Sequence, residues 1–272
     1  MKIVNLIEDT KGVNGCHYEH GLSFYIETKK HKLLLDTGAT TAFIENAKVL
    51  GIDLEKVDTV IISHGHYDHT GGLLAFAAIN PDAKIYIQRS AQGEFYNYRN
   101  QEEKYIGMDK RISDLKQVVF LEGDLKIDEE LSIFTGVTGR KLWPKGNEIL
   151  KKKCGSEFVQ DDFCHEQYLV ITEDEKRVLL SGCAHNGILN ILEQFEGLFG
   201  GIPSHVISGF HMMKKNEYTL EDTKMIEDTA HILSKMDTQF YSGHCTGEYP
   251  LGVLKGILKE KIVEMHSGEG IM

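Results

Sequence analysis

Short runs of apolar and β-branched residues recur along the chain and predict its strands. Most of these runs are bounded by Gly, Asp or Asn, which favour turns. The runs lie at residues 2–7, 22–27, 32–35, 57–62, 83–88, 131–134, 168–172, 178–180, 205–208 and 239–242. Because they recur over nearly the whole length, β-sheets form the framework of the predicted fold.

Helical periodicity separates some of these runs, most clearly at residues 71–79, 187–198 and 220–235. The last helix begins with a variant capping box, in which Thr219 can cap the helix and Asp222 can return the hydrogen bond. Strands with few helices come first, and strands alternating with helices follow. This order predicts an α/β fold, an αββα sandwich of two mixed sheets with helices on the outer faces.

Two polar stretches, residues 91–117 and 139–162, interrupt the apolar pattern. Both carry aromatic and charged residues, and we expect them to form long loops over a catalytic face, where loops often carry function. The aromatic side chains that could stack on a substrate there are Tyr96, Tyr98, Tyr105 and Trp143.

The composition is that of a globular protein. Of the 272 residues, 41% are hydrophobic, which is enough to build a sizeable core. This length exceeds the common domain size, but large α/β sandwiches often fill it as one unit. We therefore expect a single domain over residues 1–272. The pattern does not indicate an oligomeric state.

Charge and cysteine content narrow the possible partners and the location. The formal net charge of -11 repels polyanions, so we expect a small-molecule substrate and no nucleic-acid partner. The run Lys151-Lys152-Lys153 is typical of a solvated surface that can still touch an anionic substrate. The N-terminus lacks the features of a secretory signal, and no run could span a bilayer, which predicts a cytoplasmic protein without a membrane partner. Five cysteines without a Cys-x-x-Cys pair argue against a disulfide framework.

The candidate chemistry is concentrated in one segment, Ser63-His64-Gly65-His66-Tyr67-Asp68-His69. It follows the apolar run 57–62, so it leaves the end of a buried strand at the mouth of a sheet. His64 and His66 can converge on one cation, while Asp68 and His69 can face a second cation nearby. Imidazole and carboxylate are the ligands expected for divalent metals such as zinc. The segment therefore predicts a metal site.

The spacing His-x-His-x-Asp-His resembles the signature of the metallo-β-lactamase superfamily. The resemblance implies the fold of that superfamily and a centre of two divalent cations, zinc first, with manganese and iron as alternatives. Asp36, in Leu35-Asp36-Thr37-Gly38, matches an aspartate that supports the ligand loop from behind the metals. His244, in Gly243-His244-Cys245-Thr246, matches the histidine that completes the ligands of the second metal.

The middle of the chain departs from the commonest pattern of that superfamily. Cys183, in Gly182-Cys183-Ala184-His185, stands where the aspartate that bridges the two metals would be. Cys183 is either a thiolate ligand or a small buried residue. We expect His185 to complete the ligands of the first metal, with His165, which precedes the strand, as the alternative. The missing carboxylate puts the binding strength of the second metal in question.

Further sequence segments resemble the dihydropteroate-synthase-like branch of the superfamily. This branch is named for archaeal synthases that act on dihydropterins. They include Glu19-His20-Gly21-Leu22-Ser23 and Ser208-Gly209-Phe210-His211-Met212. The resemblance implies a metal-dependent hydrolase or transferase (synthase) that acts on a small anionic, pterin-like or phosphorylated substrate. Asp68 and His211 are the candidate catalytic residues, with His211 as a general acid or a substrate ligand. A nonenzymatic sensor that binds metal or ligand on the same fold is the alternative.

Overall fold

The structure is a computed structural model that describes residues 1–99 and 102–272. Its strands are β1 (Lys2–Ile7), β2 (Ser23–Glu27), β3 (Lys32–Leu35), β4 (Thr59–Ile61), β5 (Lys84–Gln88), β6 (Phe95–Arg99), β7 (Glu102–Tyr105), β8 (Val118–Leu121), β9 (Leu125–Lys126), β10 (Leu131–Phe134), β11 (Leu150–Cys154), β12 (Glu157–Gln160), β13 (Tyr168–Glu173), β14 (Lys176–Leu180), β15 (His205–Ile207), β16 (Gln239–Ser242) and β17 (Ile262–Glu264). Its helices are α1 (Ala42–Val49), α2 (Tyr67–Thr70), α3 (Leu73–Ile79), α4 (Ile188–Phe199), α5 (Leu220–Leu233) and α6 (Glu248–Leu258). None of the helices in these two ranges combines the length and apolarity needed to cross a membrane.

Two large mixed sheets form the framework of the molecule. The first has the strand order β1-β2-β3-β4-β5-β8, and the second has the order β17-β16-β15-β14-β13-β10-β9. In the first sheet, β3, β4, β5 and β8 are parallel. In the second sheet, β14, β15, β16 and β17 are parallel. The loops that follow these parallel strands therefore leave each sheet on the same side, at the carboxyl ends of the strands.

Alternation of apolar side chains along the strands produces three packed interfaces. Leu35 and Ile61 of the first sheet share a buried cluster with Leu169 and Leu180 of the second sheet. The opposite face of the first sheet packs against α1 and α3. The opposite face of the second sheet packs against α4, α5 and α6. These layers form the predicted αββα sandwich, and the predicted capping box at Thr219 is present.

A third, four-stranded sheet with the order β12-β11-β6-β7 differs from the prediction. It is formed by parts of the two polar stretches that were expected to be loops; residues 100 and 101 of the first stretch lie outside the described residues. Only a small apolar cluster, which includes Phe95, Ile106, Leu150 and Phe163, lies beneath it. Because most of its other side chains are polar, the stretches lacked the apolar pattern that predicted the remaining strands.

Candidate metal centre

The predicted ligands lie on loops that follow parallel strands of the two large sheets. The His-rich segment follows β4 and continues into α2, while Asp36 follows β3. Loops after β14, β15 and β16 carry the remaining candidates, which are Cys183, His185, His211 and His244. Ligand sites in α/β proteins often form at the carboxyl ends of parallel strands. The fold thus gathers residues that are up to 208 positions apart, from Asp36 to His244.

Three buried imidazoles form the first donor group: His64, His66 and His185. The Nε2 atom of His64 lies 3.0 Å from Nδ1 of His66. The ring of His185 has its centroid 4.9 Å from each of the other two rings. Within the described residues, the buried Nε2 atom of His185 has no hydrogen-bond partner. Donor atoms of His64 and His185 lie within 4.8 Å of each other and of the Cys183 sulfur, and His66 lies beside them, so these imidazoles can hold one zinc-sized cation.

Four buried side chains form the second donor group: Asp68, His69, Cys183 and His244. An Asp68 carboxylate oxygen, Oδ2, lies 3.5 Å from Nε2 of His69 and 3.6 Å from Nε2 of His244. The Cys183 sulfur lies 3.2 Å and 3.3 Å from the same two nitrogens. One carboxylate, two imidazoles and one thiol match the donor set of a tetrahedral zinc site.

Cys183 lies between the two donor groups. Its sulfur is within 4.8 Å of donor atoms of His64 and His185 as well as of the second group. This position favours a role as ligand over a role as a small core residue. Burial raises the pKa of the Cys183 thiol well above its usual value, so the thiol must lose its proton when a cation binds.

Carboxylates orient the two histidines of the second group. Nδ1 of His69 donates to Asp36 at 2.7 Å, which is the supporting contact expected for Asp36. Nδ1 of His244 donates to Asp9 at 2.6 Å, a contact that the sequence interpretation missed. A carboxylate that holds Nδ1–H leaves the Nε2 lone pair free for a metal. Both Nε2 atoms face Asp68 and Cys183.

Asn147 orients His185 in the first group. Nδ1 of His185 donates to the side-chain oxygen Oδ1 of Asn147 at 2.9 Å. The side-chain nitrogen Nδ2 of Asn147 donates to the His185 backbone oxygen at 2.7 Å. Glu166 accepts hydrogen bonds from the backbone N–H groups of His185 and Asn186 at 2.5 and 2.9 Å. No local sequence pattern identified Asn147 or Glu166 as part of the site, because both act through tertiary contacts.

We expect Asn147→Ala to weaken the binding of zinc at the first donor group by about 10- to 100-fold, since contacts to metal-binding histidines contribute this much to affinity. Competition with a chromophoric zinc chelator measures the change. Asn147→Asp is the matched variant, because its carboxylate still accepts from His185, and its affinity should stay close to that of the wild type. Equal affinities for wild type and Asn147→Ala would argue against this contact.

His165, the alternative ligand, lies beside His66, and donor atoms of these two histidines and Asp161 are within 4.8 Å of one another. The Gly65 backbone N–H donates to Nδ1 of His165 at 3.1 Å, so the proton resides on Nε2. Nε2 in turn donates to Asp161 at 3.1 Å. Both ring nitrogens are engaged, whereas Nε2 of His185 is free. The geometry therefore favours His185 over His165 as a ligand.

Burial sets the protonation states of the predicted ligands. It combines with the neighbouring imidazoles to hold the pKa of His64 well below its usual value and to lower the pKa of His66 to about 3. Burial alone would raise the pKa of Asp68, but the nearby His69 and His244 lower it to about 2. At neutral pH His64 and His66 are therefore neutral and Asp68 is ionised, the forms that bind metals. Burial opposes the charge on His244, but the neighbouring Cys245 and two carboxylates outweigh burial and raise the pKa of His244 to about 10, so His244 releases a proton when a cation binds.

A cavity of about 530 Å³ opens above both donor groups. The lining includes His66, Asp68, Cys183 and His185. The lining also carries four cationic side chains against two carboxylates: Arg99, Lys104, Lys214 and Lys215 against Asp68 and Glu102. In a chain with a net charge of -11, this local excess of cations favours an anionic ligand.

The aromatic residues that were expected to contact the substrate do not line this cavity. Alternation along β6 and β7 directs Asn97 and Lys104 to the cavity, whereas Tyr96, Tyr98 and Tyr105 lie on the opposite face. Tyr96 and Tyr98 pack against Phe158, with ring centroids 5.0 and 5.7 Å apart. Trp143 packs against Phe163 instead. In the described part of the chain, the lysine run Lys151-Lys152-Lys153 does not line the cavity either. The lining includes one tyrosine, Tyr67.

His211 and His20 both line the cavity. The ring centroid of His211 lies 4.0 Å from that of His185, and its backbone φ of 47° is unusual for a residue other than glycine. His20 lies at the rim, where it contacts Asp9 at 2.7 Å, and this hydrogen bond raises the pKa of His20. Both imidazoles are thus close enough to the metal ligands to contact a bound substrate.

Comparison with known proteins relates the chain to one superfamily. Residues 19–142 match the family model described as the metallo-beta-lactamase superfamily. The chain is 28% identical to a 7,8-dihydropterin-6-methyl-4-(beta-D-ribofuranosyl)-aminobenzene-5'-phosphate synthase of Methanocaldococcus jannaschii, over 99% of this chain and 95% of that protein. A crystal structure described as a metal-dependent hydrolase of the beta-lactamase superfamily superposes with a TM-score of 0.85 at 28% identity, covering 100% of this chain and 98% of the other. Zinc-bound PqqB from Methylobacterium extorquens shares the fold, with a TM-score of 0.58 at 12% identity and full coverage of both chains.

Proposed function

Because the chain belongs to the metallo-β-lactamase superfamily, we propose that it is a metal-dependent enzyme with a dinuclear centre that acts on a small anionic substrate, phosphorylated or pterin-like. The observation that carries this proposal is the pair of donor groups, joined by Cys183, beneath a cavity with four cationic side chains. Two zinc ions suit these donors best, with manganese and iron as alternatives.

The hydrogen bonding of the donor groups fits the binding of cations. In the described part of the chain, Nε2 of His185 is buried without a partner, a costly arrangement unless a ligand binds it. Nδ1 atoms of His69, His185 and His244 are held by Asp36, Asn147 and Asp9. Structural histidines have no need for such a uniform orientation, but metal-binding histidines do.

Two divalent cations, when bound, lower the pKa of water and polarise an oxygen of the substrate. The residues of the chain then orient the reactants. Asp68 can accept a hydrogen bond from the attacking group, since its carboxylate lines the cavity and remains ionised at neutral pH. His211 can donate a proton to the leaving group from the cavity wall beside His185.

The same site supports two reaction types. When water attacks the substrate, the outcome is hydrolysis; when a second substrate attacks it, the outcome is group transfer. The relative from Methanocaldococcus jannaschii is named a synthase, and the structural neighbour is described as a hydrolase. The substrate class is common to both reaction types, because the cationic side chains favour a phosphate or another anion in either case. We also propose a cytoplasmic location, which the five free cysteines support because disulfides are rare in that compartment.

Metal-free protein reloaded with zinc or manganese should turn over at least one member of a panel of phosphoesters, lactones and thioesters. For an anionic substrate, Arg99→Ala should raise KM by roughly tenfold, because a hydrogen bond to a charged group contributes about 1.5–3 kcal/mol. Arg111→Ala is the matched control, since Arg111 is exposed and pairs with Asp109 outside the cavity. Initial-rate kinetics measure both variants. Tight binding of these compounds without turnover at any metal loading would instead support a sensor.

A further inference from the structure

Two donor side chains lie beside the dinuclear centre without belonging to either donor group: Cys245 and His211. The sulfur atoms of Cys183 and Cys245 and a ring nitrogen of His211 all lie within 4.8 Å of one another. Cys245 is buried, and both Cys245 and His211 line the cavity. Nδ1 of His211 is buried and has no hydrogen-bond partner in the described ranges. Donor atoms this close together can share one cation.

The backbone holds these three donors in place through contacts between their loops. The Gly209 N–H donates to the Gly182 oxygen at 2.8 Å, which joins the loops after β15 and β14. The Met213 N–H donates to the Cys245 oxygen at 2.9 Å, which joins the loops after β15 and β16. The three donors are therefore positioned before any ligand arrives.

Local backbone geometry also makes room for the Cys245 thiol. A Cβ atom on Gly209 would lie 2.5 Å from the Cys245 sulfur, so only glycine leaves the space that the thiol occupies. Ala184, His211 and His244, each adjacent to a donor or itself a donor, have positive φ values of 54°, 47° and 49°. Such conformations cost free energy and cluster at functional sites. The arrangement has the features of a built site rather than of ordinary core packing.

We propose that Cys183, Cys245 and His211 form a third metal position, which prefers a soft cation and shares the Cys183 thiolate with the dinuclear centre. Two thiolates and one imidazole select thiolate-binding cations such as Cd²⁺, Cu⁺ or Zn²⁺ over Mg²⁺ and Ca²⁺. The Cys245 thiol releases one proton as it binds, while Cys183 has already lost its proton to the dinuclear centre, and the cavity leaves a fourth position open. The proposal rests on the proposed dinuclear centre only through the shared Cys183. Because one ring nitrogen cannot both bind a cation and donate a proton, a cation here competes with the catalytic role of His211.

Titration of metal-free, reduced protein with Cd²⁺ tests the third position. Bound cadmium is counted by elemental analysis after gel filtration, and thiolate binding is followed by ultraviolet charge-transfer absorption. We expect three cadmium ions per chain in the wild type. Cys245→Ser should bind two and lose about half of the absorption, because one of two thiolates is gone. Cys164→Ser removes an exposed thiol and should behave like the wild type.

Two cadmium ions per chain in the wild type, or unchanged absorption in Cys245→Ser, would overturn the third position and leave the dinuclear centre intact. A wild type that binds no cadmium would contradict both proposals. X-ray absorption of the cadmium-loaded wild type gives an answer that does not depend on the folding of any variant. Averaged over the bound ions, it should give more than one sulfur per cadmium, because Cys245 adds a second sulfur at the third position, and an average of at most one sulfur per cadmium would rule the proposal out.

Discussion

Replacement of His185 by alanine should lower turnover by about a thousandfold and remove one of the two proposed zinc ions from the purified protein. His185 supplies the third imidazole of the first donor group, and two imidazoles alone bind zinc weakly. A catalytic metal contributes several kcal/mol of transition-state stabilisation, and each 1.4 kcal/mol corresponds to a tenfold change in rate. Steady-state kinetics and elemental analysis of the same sample measure both effects.

His165→Asn is the informative comparison for that experiment. Asparagine can still accept the hydrogen bond from the Gly65 N–H, and the structure places His165 against Asp161 rather than in the first donor group. We therefore expect both zinc ions to remain bound in this variant. Loss of one zinc ion from His165→Asn, with both retained in His185→Ala, would reverse the assignment of the two histidines.

Replacement of Asp36 by alanine should destabilise the metal-free protein by about 3–5 kcal/mol, since it leaves buried partners without an acceptor. The Asp36 carboxylate accepts from the Ser63 N–H, the Ser63 hydroxyl and Nδ1 of His69, each at 2.7 Å. Asp36 and both partners are fully buried. Urea unfolding at pH 7, followed by circular dichroism, measures the free energy of unfolding.

Asp82→Ala is the matched control for this measurement. Asp82 is exposed, and a surface substitution of this kind changes stability by about 0.5 kcal/mol or less. The free energy of unfolding of Asp36→Asn should fall between those of Asp36→Ala and Asp82→Ala. Its amide oxygen can still accept from the Ser63 N–H, but its NH₂ group faces other donors. If Asp36→Ala unfolds at the same urea concentration as Asp82→Ala, the contacts of Asp36 do not support the ligand loop.

The parts of the fold that could be predicted from the sequence are those where local pattern and tertiary role agree. Strands such as β1, β3 and β10 begin and end at the predicted residues, because their apolar runs face buried layers on one or both sides. Helix α6 was missed, since its glycines at positions 252 and 256 disfavour a helix and tertiary packing overrides that preference. The third sheet was missed because polar side chains cover much of it.

The same distinction applies to the candidate site. His64, His66, Asp68 and His69 lie within six residues, so their spacing was visible in the sequence. Asp9 acts on His244 from 235 residues away, and Asn147 acts on His185 from 38 residues away. No local pattern marks such partners, because a lone aspartate or asparagine occurs in every surface loop. Only the folded chain shows which of them contact a histidine.

The position of Asn147 links metal binding to the wall of the substrate cavity. Asn147 lies in the turn Lys145–Ile149, which leads directly into β11, and β11 pairs with the strand that carries Arg99. The part of the chain that contributes Arg99 to the cavity wall is therefore linked to the part that anchors a histidine of the first donor group. Substitutions that reshape this wall should alter the affinity for metal as well as the affinity for substrate.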